Sequence, residues 1–135
     1  MTDRDRPLVL LADDEPDIRD LLVRTLERAG YQVVPACDGD EAFDLALKHL
    51  PDLAVIDVVM PGRSGLDLVR DLRRTAATRS MLIILASARA READIRLGYA
   101  AGADRYVTKP LSSRNLLACI EGLLATGRQE AQWTT

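Results

Sequence analysis

The chain has 135 residues, a net charge of −3, and a composition of 47% hydrophobic and 29% charged residues, which is typical of one globular domain. Acidic and basic residues are interspersed, whereas a nucleic-acid surface shows a basic stripe, so this domain is not predicted to bind DNA. No apolar run approaches the roughly 20 residues of a membrane span, and the polar N-terminus is not a signal peptide. A cytoplasmic location is therefore expected.

Mostly apolar runs that do not alternate with polar residues are typical of strands buried on both faces. In chain order, the sequence predicts strands over residues 7–12, 31–35, 53–56, 81–86 and 104–107. Helical spacing of apolar residues predicts helices between and after them, over residues 16–29, 42–50, 66–72, 91–101 and 116–124. Asp38-Gly39 reads as a turn, Ser64 as a helix start, and Ser112 or Ser113 as the cap of the last helix.

Strands that alternate strictly with helices imply a parallel sheet, because each right-handed crossover lays a helix across one of its faces. The predicted fold class is α/β, a doubly wound, flavodoxin-like (βα)5 arrangement with helices on both faces. Its parallel five-stranded sheet would have the order 2-1-3-4-5, which places the first and third strands side by side. Ligands of such sheets bind at this switch point, outside the carboxyl ends of the strands.

The unusual polar residues of the chain follow predicted strands. Asp13 and Asp14 come after the first strand, and Asp57 closes the third. Ser87 follows the fourth strand and Lys109 the fifth. All these strand ends lie on one edge of a parallel sheet, and the predicted strand order brings the three aspartates together. Lys109 is one of only two lysines among 18 basic residues, so its placement is informative.

Each of these residues also has a purely structural interpretation. Asp57 alone would be a turn or helix-capping residue, and Asp13-Asp14 would be helix N-terminal charge favoured by the dipole. Ser87 alone is typical of a strand end, and Lys109 alone of a solvated surface. Their joint placement on one edge favours a functional site, because the structural interpretations require independent coincidences.

Such a cluster has a definite chemistry. Crowded carboxylates raise each other's pKa unless a cation is bound, and hard oxygen ligands in an incomplete shell suit Mg²⁺, whose shell a phosphate oxygen often completes. Lys109 adds a positive charge, Ser87 a hydroxyl donor, and the turn after Asp57 backbone N–H groups, which together suit a tetrahedral anion. An aspartate beside a metal-bound phosphoryl group can accept that group as an acyl phosphate.

The same residues stand in a set of motifs that runs from about Leu8 to Leu124. The motifs are Asp13-Asp14, Asp57 with Met60-Pro61-Gly62 and Gly65, Ser87-Ala88, Gly102-Ala103-Asp104, and Tyr106 with Lys109-Pro110. Together and in this order they resemble the receiver domain of two-component response regulators. The resemblance implies a receiver domain over residues 1–126, with a polar tail or the start of a linker over residues 127–135.

The resemblance also implies a phosphorylation-activated signalling switch. Asp57 would accept a phosphoryl group from a phosphohistidine of a sensor histidine kinase or a phosphotransfer protein. Asp14, Asp57 and the carbonyl of Val59 would bind Mg²⁺ directly. Asp13 would act through a metal-bound water, and Lys109 would pair with the phosphoryl oxygens. The domain would catalyse its own phosphorylation and autodephosphorylation and would otherwise not be an enzyme.

The output of the switch would be a change in packing. On phosphorylation, Ser87 would swing its hydroxyl toward the new group, and Tyr106 would turn inward into the vacated space. The face formed by the fourth helix, fifth strand and fifth helix would then engage a downstream effector protein or an attached output domain. A phosphorylation-dependent dimer would use the same face.

Three positions depart from the family pattern. Val59, two residues after Asp57, and Arg89, two residues after Ser87, would flank the path of the water that hydrolyses the acyl phosphate. Neither positions that water as a carboxylate or an amide would, so the phosphorylated state is expected to decay slowly. Leu111 stands where the family often carries an aromatic residue, which affects packing around the final loop.

Two alternative functions remain. A Mg²⁺-dependent phosphohydrolase with an aspartyl nucleophile would also use an acidic cluster beside a lysine. Val59, however, stands where its general acid would be expected, and no segment of the sequence reads as a cap domain. A phosphate-independent docking or dimerisation module would use the fold alone. The complete set of acids, hydroxyl and lysine argues against a docking module, since such a module could lose these groups without loss of function.

Two further expectations concern cysteines and arginines. Cys37 and Cys119 lack metal-binding spacing and lie in patterned segments, so both are predicted to be buried free thiols. Arg70, Arg73 and Arg74 of the third helix are predicted to form a solvated face rather than a binding patch.

Overall fold

The computed structural model describes residues 6–127, which form five strands and five helices in strict alternation. The strands are β1 (Leu8–Ala12), β2 (Gln32–Ala36), β3 (Leu53–Asp57), β4 (Leu82–Ser87) and β5 (Arg105–Thr108). The helices are α1 (Pro16–Arg28), α2 (Gly39–His49), α3 (Gly65–Arg74), α4 (Glu92–Ala101) and α5 (Ser113–Thr126). Within these residues, no helix has the length and apolar character needed to span a bilayer. Apart from Gly127, the predicted tail lies outside the described residues, and the domain boundary stays a prediction.

The sheet is parallel throughout and has the order β2-β1-β3-β4-β5, which confirms the predicted fold class. β1 pairs with both β2 and β3, and β4 lies between β3 and β5. Every residue of β1, β3 and β4 is buried, as their unbroken apolar runs predict. Because β1 and β3 are neighbours, the loops that follow them leave the same edge of the sheet side by side.

Alternate residues of the central strands point to opposite faces of the sheet and enter two hydrophobic cores. On one face, Leu10, Ile56 and Leu85 pack with buried residues of α2, α3 and α4. On the other face, Val9 and Val55 pack with buried residues of α1 and α5. This doubly wound arrangement leaves the strand ends as the place where polar side chains can gather.

Short polar side chains that accept backbone N–H groups set the helix starts. Ser64 accepts an N–H of α3 at 3.2 Å, as predicted, and Ser112 rather than Ser113 accepts one from α5 at 3.3 Å. The predicted turn at Asp38-Gly39 is instead the start of α2, because the carboxylate of the aspartate accepts an N–H of the first helical turn at 2.8 Å. The second helix therefore begins earlier than its apolar pattern indicates.

The prediction of two buried thiols is wrong for Cys37. Both cysteines are free thiols, but Cys37 is exposed while Cys119 on α5 is partly buried. Cys37 follows the edge strand β2 and immediately precedes the cap of α2, and its Sγ lies 3.7 Å from the carboxylate of Asp38. The end of an edge strand has a neighbour on one side alone, so a patterned segment does not ensure burial there.

The predicted solvated face of α3 is wrong for Arg73. Its side chain is 12% exposed, compared with 75% for the side chain of Arg74. Nη2 of Arg73 pairs with Oδ2 of Asp104 at 2.9 Å, and Nε donates to the carbonyl of Gly102 at 3.0 Å. Asp104 also accepts the N–H of Ile83 at 2.8 Å. The ion pair thereby joins the end of α3 to the starts of β4 and β5, at the amino edge of the sheet.

Replacing Arg73 with methionine removes the guanidinium and leaves the Asp104 carboxylate buried without it. We expect a loss of about 3–5 kcal/mol in the free energy of unfolding, the usual cost of breaking a buried ion pair from one side. Arg74→Met is the matched control and should change this free energy by less than about 0.5 kcal/mol. Urea denaturation followed by circular dichroism measures both, and equal losses in the two variants would contradict the structural role of Arg73.

Candidate functional site

Three carboxylates meet at the carboxyl edge of the sheet. β1 pairs with β3 so that Ala12 lies opposite Ile56, which makes the next residues, Asp13 and Asp57, neighbours. Carboxylate oxygens of Asp13, Asp14 and Asp57 all lie within 4.8 Å of one another. The side chains of Asp13 and Asp57 are 4% and 8% exposed, whereas Asp14 faces solvent. The cluster therefore has two buried members and one open side.

Lys109 reaches this cluster from the loop after β5. Its Nζ lies 3.0 Å from Oδ2 of Asp57 and 3.3 Å from Oδ2 of Asp13. Its backbone N–H donates to the carbonyl of Ser87 at 2.8 Å, which fixes this loop against the end of β4. Lys109 thus compensates the charge of both buried carboxylates.

Burial and charge together set the ionisation of this group of residues. Burial raises the pKa of Asp57, and the charge of Asp13 raises it further. Lys109 lowers this pKa, as does the N–H of Val59, whose nitrogen lies 3.2 Å from Oδ1. The raising effects are the larger, so the pKa of Asp57 is above its ordinary value. Burial alone would lower the pKa of Lys109, but the hydrogen bond and charge of Asp57, with the charge of Asp13, raise it above its ordinary value. Lys109 therefore stays protonated at neutral pH and can pair with an anion at this site.

The donor set at this edge fits a hard divalent cation. The carboxylate oxygens of Asp13, Asp14 and Asp57 lie within 4.8 Å of one another, and Mg²⁺ prefers oxygen ligands while keeping several waters. An open cavity of about 410 Å³ is lined by Asp14, Glu15, Asp57, Val59, Ala88 and Lys109. This cavity has room for an ion with its waters and for a phosphoryl group.

Ser87 and Tyr106 both bind the segment that follows β4. The side chain of Ser87 is buried, and its Oγ accepts the N–H of Arg89 at 3.0 Å. The hydroxyl of Tyr106 donates to the carbonyl of Arg89 at 2.8 Å. Since Asp57 lies opposite Ala86 in the pairing of β3 with β4, Ser87 adjoins the acidic cluster. Tyr106 lies on β5 and is linked to Ser87 through Arg89.

Gly98 is not among the predicted site residues, although Tyr106 packs directly against it. A Cβ atom at Gly98 would lie 2.6 Å from Cδ2 of Tyr106 and 3.2 Å from a side-chain atom of Leu85. Only glycine therefore lets α4 approach β4 and β5 this closely. A glycine inside a predicted helix was the available signal, because an interior helix glycine usually has a packing reason.

Gly98→Ala should displace the ring of Tyr106, because the added Cβ overlaps a ring atom. We expect this variant to lose about 1–3 kcal/mol of the free energy of unfolding, together with the hydrogen bond from Tyr106 to Arg89. Gly122→Ala is the control, since nothing lies within 4 Å of a Cβ at that position, and it should gain about 0.5–1 kcal/mol. Urea denaturation and crystal structures measure these effects. An unmoved Tyr106 ring in Gly98→Ala would refute the steric argument.

Comparison with known proteins places the chain in a family. The family model of the response regulator receiver domain matches residues 9–121. The chain belongs to this family. Receiver domains of two-component systems generally act as phosphorylation-dependent signalling switches rather than true enzymes. In general they interact with histidine kinases and with effectors or output domains, and they bind Mg²⁺ at an acidic pocket.

Solved structures of response regulators share this fold. The Vibrio cholerae chemotaxis protein CheY4 is 31% identical, with a TM-score of 0.83, over 87% of this chain and 98% of that one. A putative response regulator from Chloroflexus aurantiacus is 30% identical, with a TM-score of 0.85, over 90% and 99% of the two chains. The receiver domain of the Francisella response regulator 1452 is 32% identical, with a TM-score of 0.84, over 89% and 98%. The predicted family and fold are thereby confirmed.

Proposed function

We propose that the chain is a switch that accepts a phosphoryl group on Asp57 from the phosphohistidine of a sensor histidine kinase or a phosphotransfer protein. The observation that carries this proposal is the meeting of Asp13, Asp14, Asp57 and Lys109 at one edge of the sheet. Asp57 is a buried carboxylate with a raised pKa that borders an open cavity. The carboxylate is therefore accessible to a phosphoryl donor, and aspartate carboxylates act as nucleophiles toward phosphoryl groups.

The transfer requires one nucleophilic carboxylate and neutralisation of charge on the moving group. An oxygen of Asp57 attacks phosphorus, and the bond from phosphorus to the histidine nitrogen breaks. The imidazole leaves with the bonding electron pair, and the product is an acyl phosphate. Lys109, whose Nζ lies 3.0 Å from Oδ2 of Asp57, then pairs with the phosphoryl oxygens. The N–H of Val59 keeps the carboxylate oriented through Oδ1.

Asp14, Asp57 and the carbonyl of Val59 would hold Mg²⁺ in this site. When bound, the ion would help to neutralise the charge that develops on the transferred phosphoryl group. Support comes from the short separations between the carboxylate oxygens and from the open cavity beside them. The residues that line this cavity include Asp14, Asp57 and Val59 but not Asp13, so an indirect role through a metal-bound water suits Asp13 better than direct ligation.

Ser87 and Tyr106 would carry the change away from Asp57. The Ser87 hydroxyl would turn from the N–H of Arg89 toward the phosphoryl group, and Tyr106 would leave the carbonyl of Arg89 and turn inward. Tyr106 also lines a small cavity of about 40 Å³ together with Arg89 and residues of α3 and α4. The α4-β5-α5 face would then engage an effector protein, an attached output domain, or a second copy in a phosphorylation-dependent dimer.

The two alternative functions have less support. A docking module without phosphorylation has no use for carboxylates that are costly to bury, yet Asp13 and Asp57 are nearly buried and paired with Lys109. A phosphohydrolase needs a general acid near Asp57, and the exposed apolar side chain of Val59 cannot donate a proton. The cytoplasmic location expected from the sequence stays a prediction.

The first experiment is intact-mass spectrometry after incubation with acetyl phosphate, with and without Mg²⁺. We expect a gain of about 80 Da, the mass of one phosphoryl group, that requires Mg²⁺. Asp57→Asn should abolish the gain because the amide cannot attack phosphorus. Ser87→Ala should retain it, which excludes the neighbouring hydroxyl as the acceptor. The proposal fails if wild-type protein that is folded by circular dichroism acquires no adduct.

The lifetime of the adduct provides a separate test. The exposed Val59 side chain offers no group that orients an attacking water, so the phosphorylated state should decay slowly. Val59→Asn should shorten its lifetime by about threefold to tenfold, a small part of what a fully positioned general base can supply. Val59→Ala adds no polar group and should leave the lifetime within about twofold. Phosphate release at fixed Mg²⁺ measures both, and an unchanged or slower decay in Val59→Asn would sink this hypothesis.

A further inference from the structure

Arg63 connects the loop after β3 to two helices. This loop, residues 58–64, is called the acceptor loop below. Nε of Arg63 lies 3.2 Å from Oδ1 of Asp40 on α2 and 3.6 Å from Oδ2 of Asp71 on α3. The guanidinium carbon lies 4.4 Å from the centre of the Phe43 ring, also on α2, within the range of cation–π attraction. One side chain of the acceptor loop therefore bridges α2 and α3.

Arg63 keeps this position although one of its donors is unpaired. Its Nη1 is buried and makes no hydrogen bond within residues 6–127, which disfavours the placement. The carboxylates of Asp40 and Asp71 and the ring of Phe43 offset that penalty. A freely solvated arginine would instead keep all its donors in water, so the side chain is held by its packing.

The backbone of the acceptor loop also lies against α2. A Cβ added at Gly39, the first residue of α2, would lie 2.0 Å from the carbonyl oxygen of Arg63, an approach that glycine alone permits. Gly62 has a positive φ of 72°, and a Cβ there would lie 3.1 Å from the carboxylate of Asp40. The side chain and the backbone of Arg63 thus fix the same end of the acceptor loop to the N-terminus of α2.

The other end of the acceptor loop carries Val59. Its N–H donates to Oδ1 of Asp57 at 3.2 Å, and its carbonyl is the proposed backbone ligand of Mg²⁺. The Val59 side chain is 56% exposed, so its own packing cannot hold this backbone in place. The buried side chain of Met60 and the bridge made by Arg63 are anchors that can.

We propose that Arg63 is a positioning residue that keeps the acceptor loop in the conformation that binds Mg²⁺. The inference rests on the proposed function, because the Val59 carbonyl is a ligand only under that proposal. Without Arg63, only a fraction of the protein keeps its acceptor loop in the conformation that binds Mg²⁺. The apparent dissociation constant then equals the intrinsic constant divided by that fraction, so it rises. Electrostatics alone predicts the opposite sign, since removal of a positive charge from the protein favours a bound cation.

The test measures Mg²⁺ binding without a phosphodonor, by titrating Mg²⁺ and following backbone amide signals by NMR. Arg63→Met removes the guanidinium and keeps an apolar chain against Phe43. We expect its Mg²⁺ dissociation constant to rise about threefold to tenfold. Arg63→Lys keeps the charge but loses the planar group, so its constant should fall between those of the wild type and Arg63→Met. Arg96→Met removes an exposed arginine of α4, whose partner Glu92 is equally exposed, and should bind Mg²⁺ as the wild type does.

Two further measurements decide the matter if Arg63→Met folds poorly. Phe43→Leu leaves the charge unchanged and should raise the Mg²⁺ dissociation constant about twofold, because it removes the cation–π contact. In metal-free protein, the Val59 amide of both variants should exchange its hydrogen faster than in the wild type, because the acceptor loop opens more often. Unchanged or tighter Mg²⁺ binding in Phe43→Leu, and in Arg63→Met where it folds, would overturn the role of Arg63.

The same titration separates this inference from the proposed function. Absence of Mg²⁺ binding by the wild type, or binding that Asp57→Asn leaves unchanged, would overturn the metal site and the role of Arg63 with it. Binding that Asp57→Asn weakens, but that Arg63→Met and Phe43→Leu leave unchanged, would overturn the role of Arg63 alone.

Discussion

Lys109 bridges two buried carboxylates, at 3.0 Å from Asp57 and 3.3 Å from Asp13, and the layout of the sheet makes this contact possible. Burying a carboxylate without a partner costs several kcal/mol, so an aspartate at the end of an apolar strand requires a cation close by. Asp13, Asp57 and Lys109 follow or end β1, β3 and β5 and are far apart in sequence. A parallel sheet of order 2-1-3-4-5 brings them to one edge, where their net negative charge can attract a second cation.

Each edge of the sheet has a buried ion pair, but the segment after β4 is held less firmly than the rest. At the amino edge, Arg73 and Asp104 join the end of α3 to the starts of β4 and β5 through a buried ion pair and bonds to the backbone. At the carboxyl edge, Lys109 holds Asp13 and Asp57, but the segment after β4 is held more lightly. The N–H of Arg89 donates to Ser87 Oγ, and the carbonyl of Arg89 accepts from the hydroxyl of Tyr106. A segment held by single hydrogen bonds can rearrange locally without loss of the two cores.

Most of the fold follows from local rules, since buried strands need unbroken apolar runs and a cap such as Ser64 acts within one helical turn. The meeting of the carboxylates is predictable as well, because the strand ends of a parallel sheet share an edge. Arg73 lies beyond such rules: helical periodicity indicates which face is polar, but the partner Asp104 is 31 residues away. Gly98 and Arg63 are similar cases, because their contacts come from elements that the sequence pattern does not place against one another.

Under the proposed function, Ser87 exchanges the N–H of Arg89 for a phosphoryl oxygen as its hydrogen-bond partner, and the free energy gained is modest. Its hydroxyl oxygen accepts a neutral N–H of Arg89 in this structure, whereas donation to a phosphoryl oxygen would make a charge-assisted bond about twice as strong. The net gain is then on the order of 1 kcal/mol, and loss of the bond from Tyr106 to Arg89 acts against it. A free-energy difference of this size changes the population ratio of two packing states about fivefold, so both states stay populated. Such a balance reverts when the acyl phosphate is lost, as a reversible signal requires.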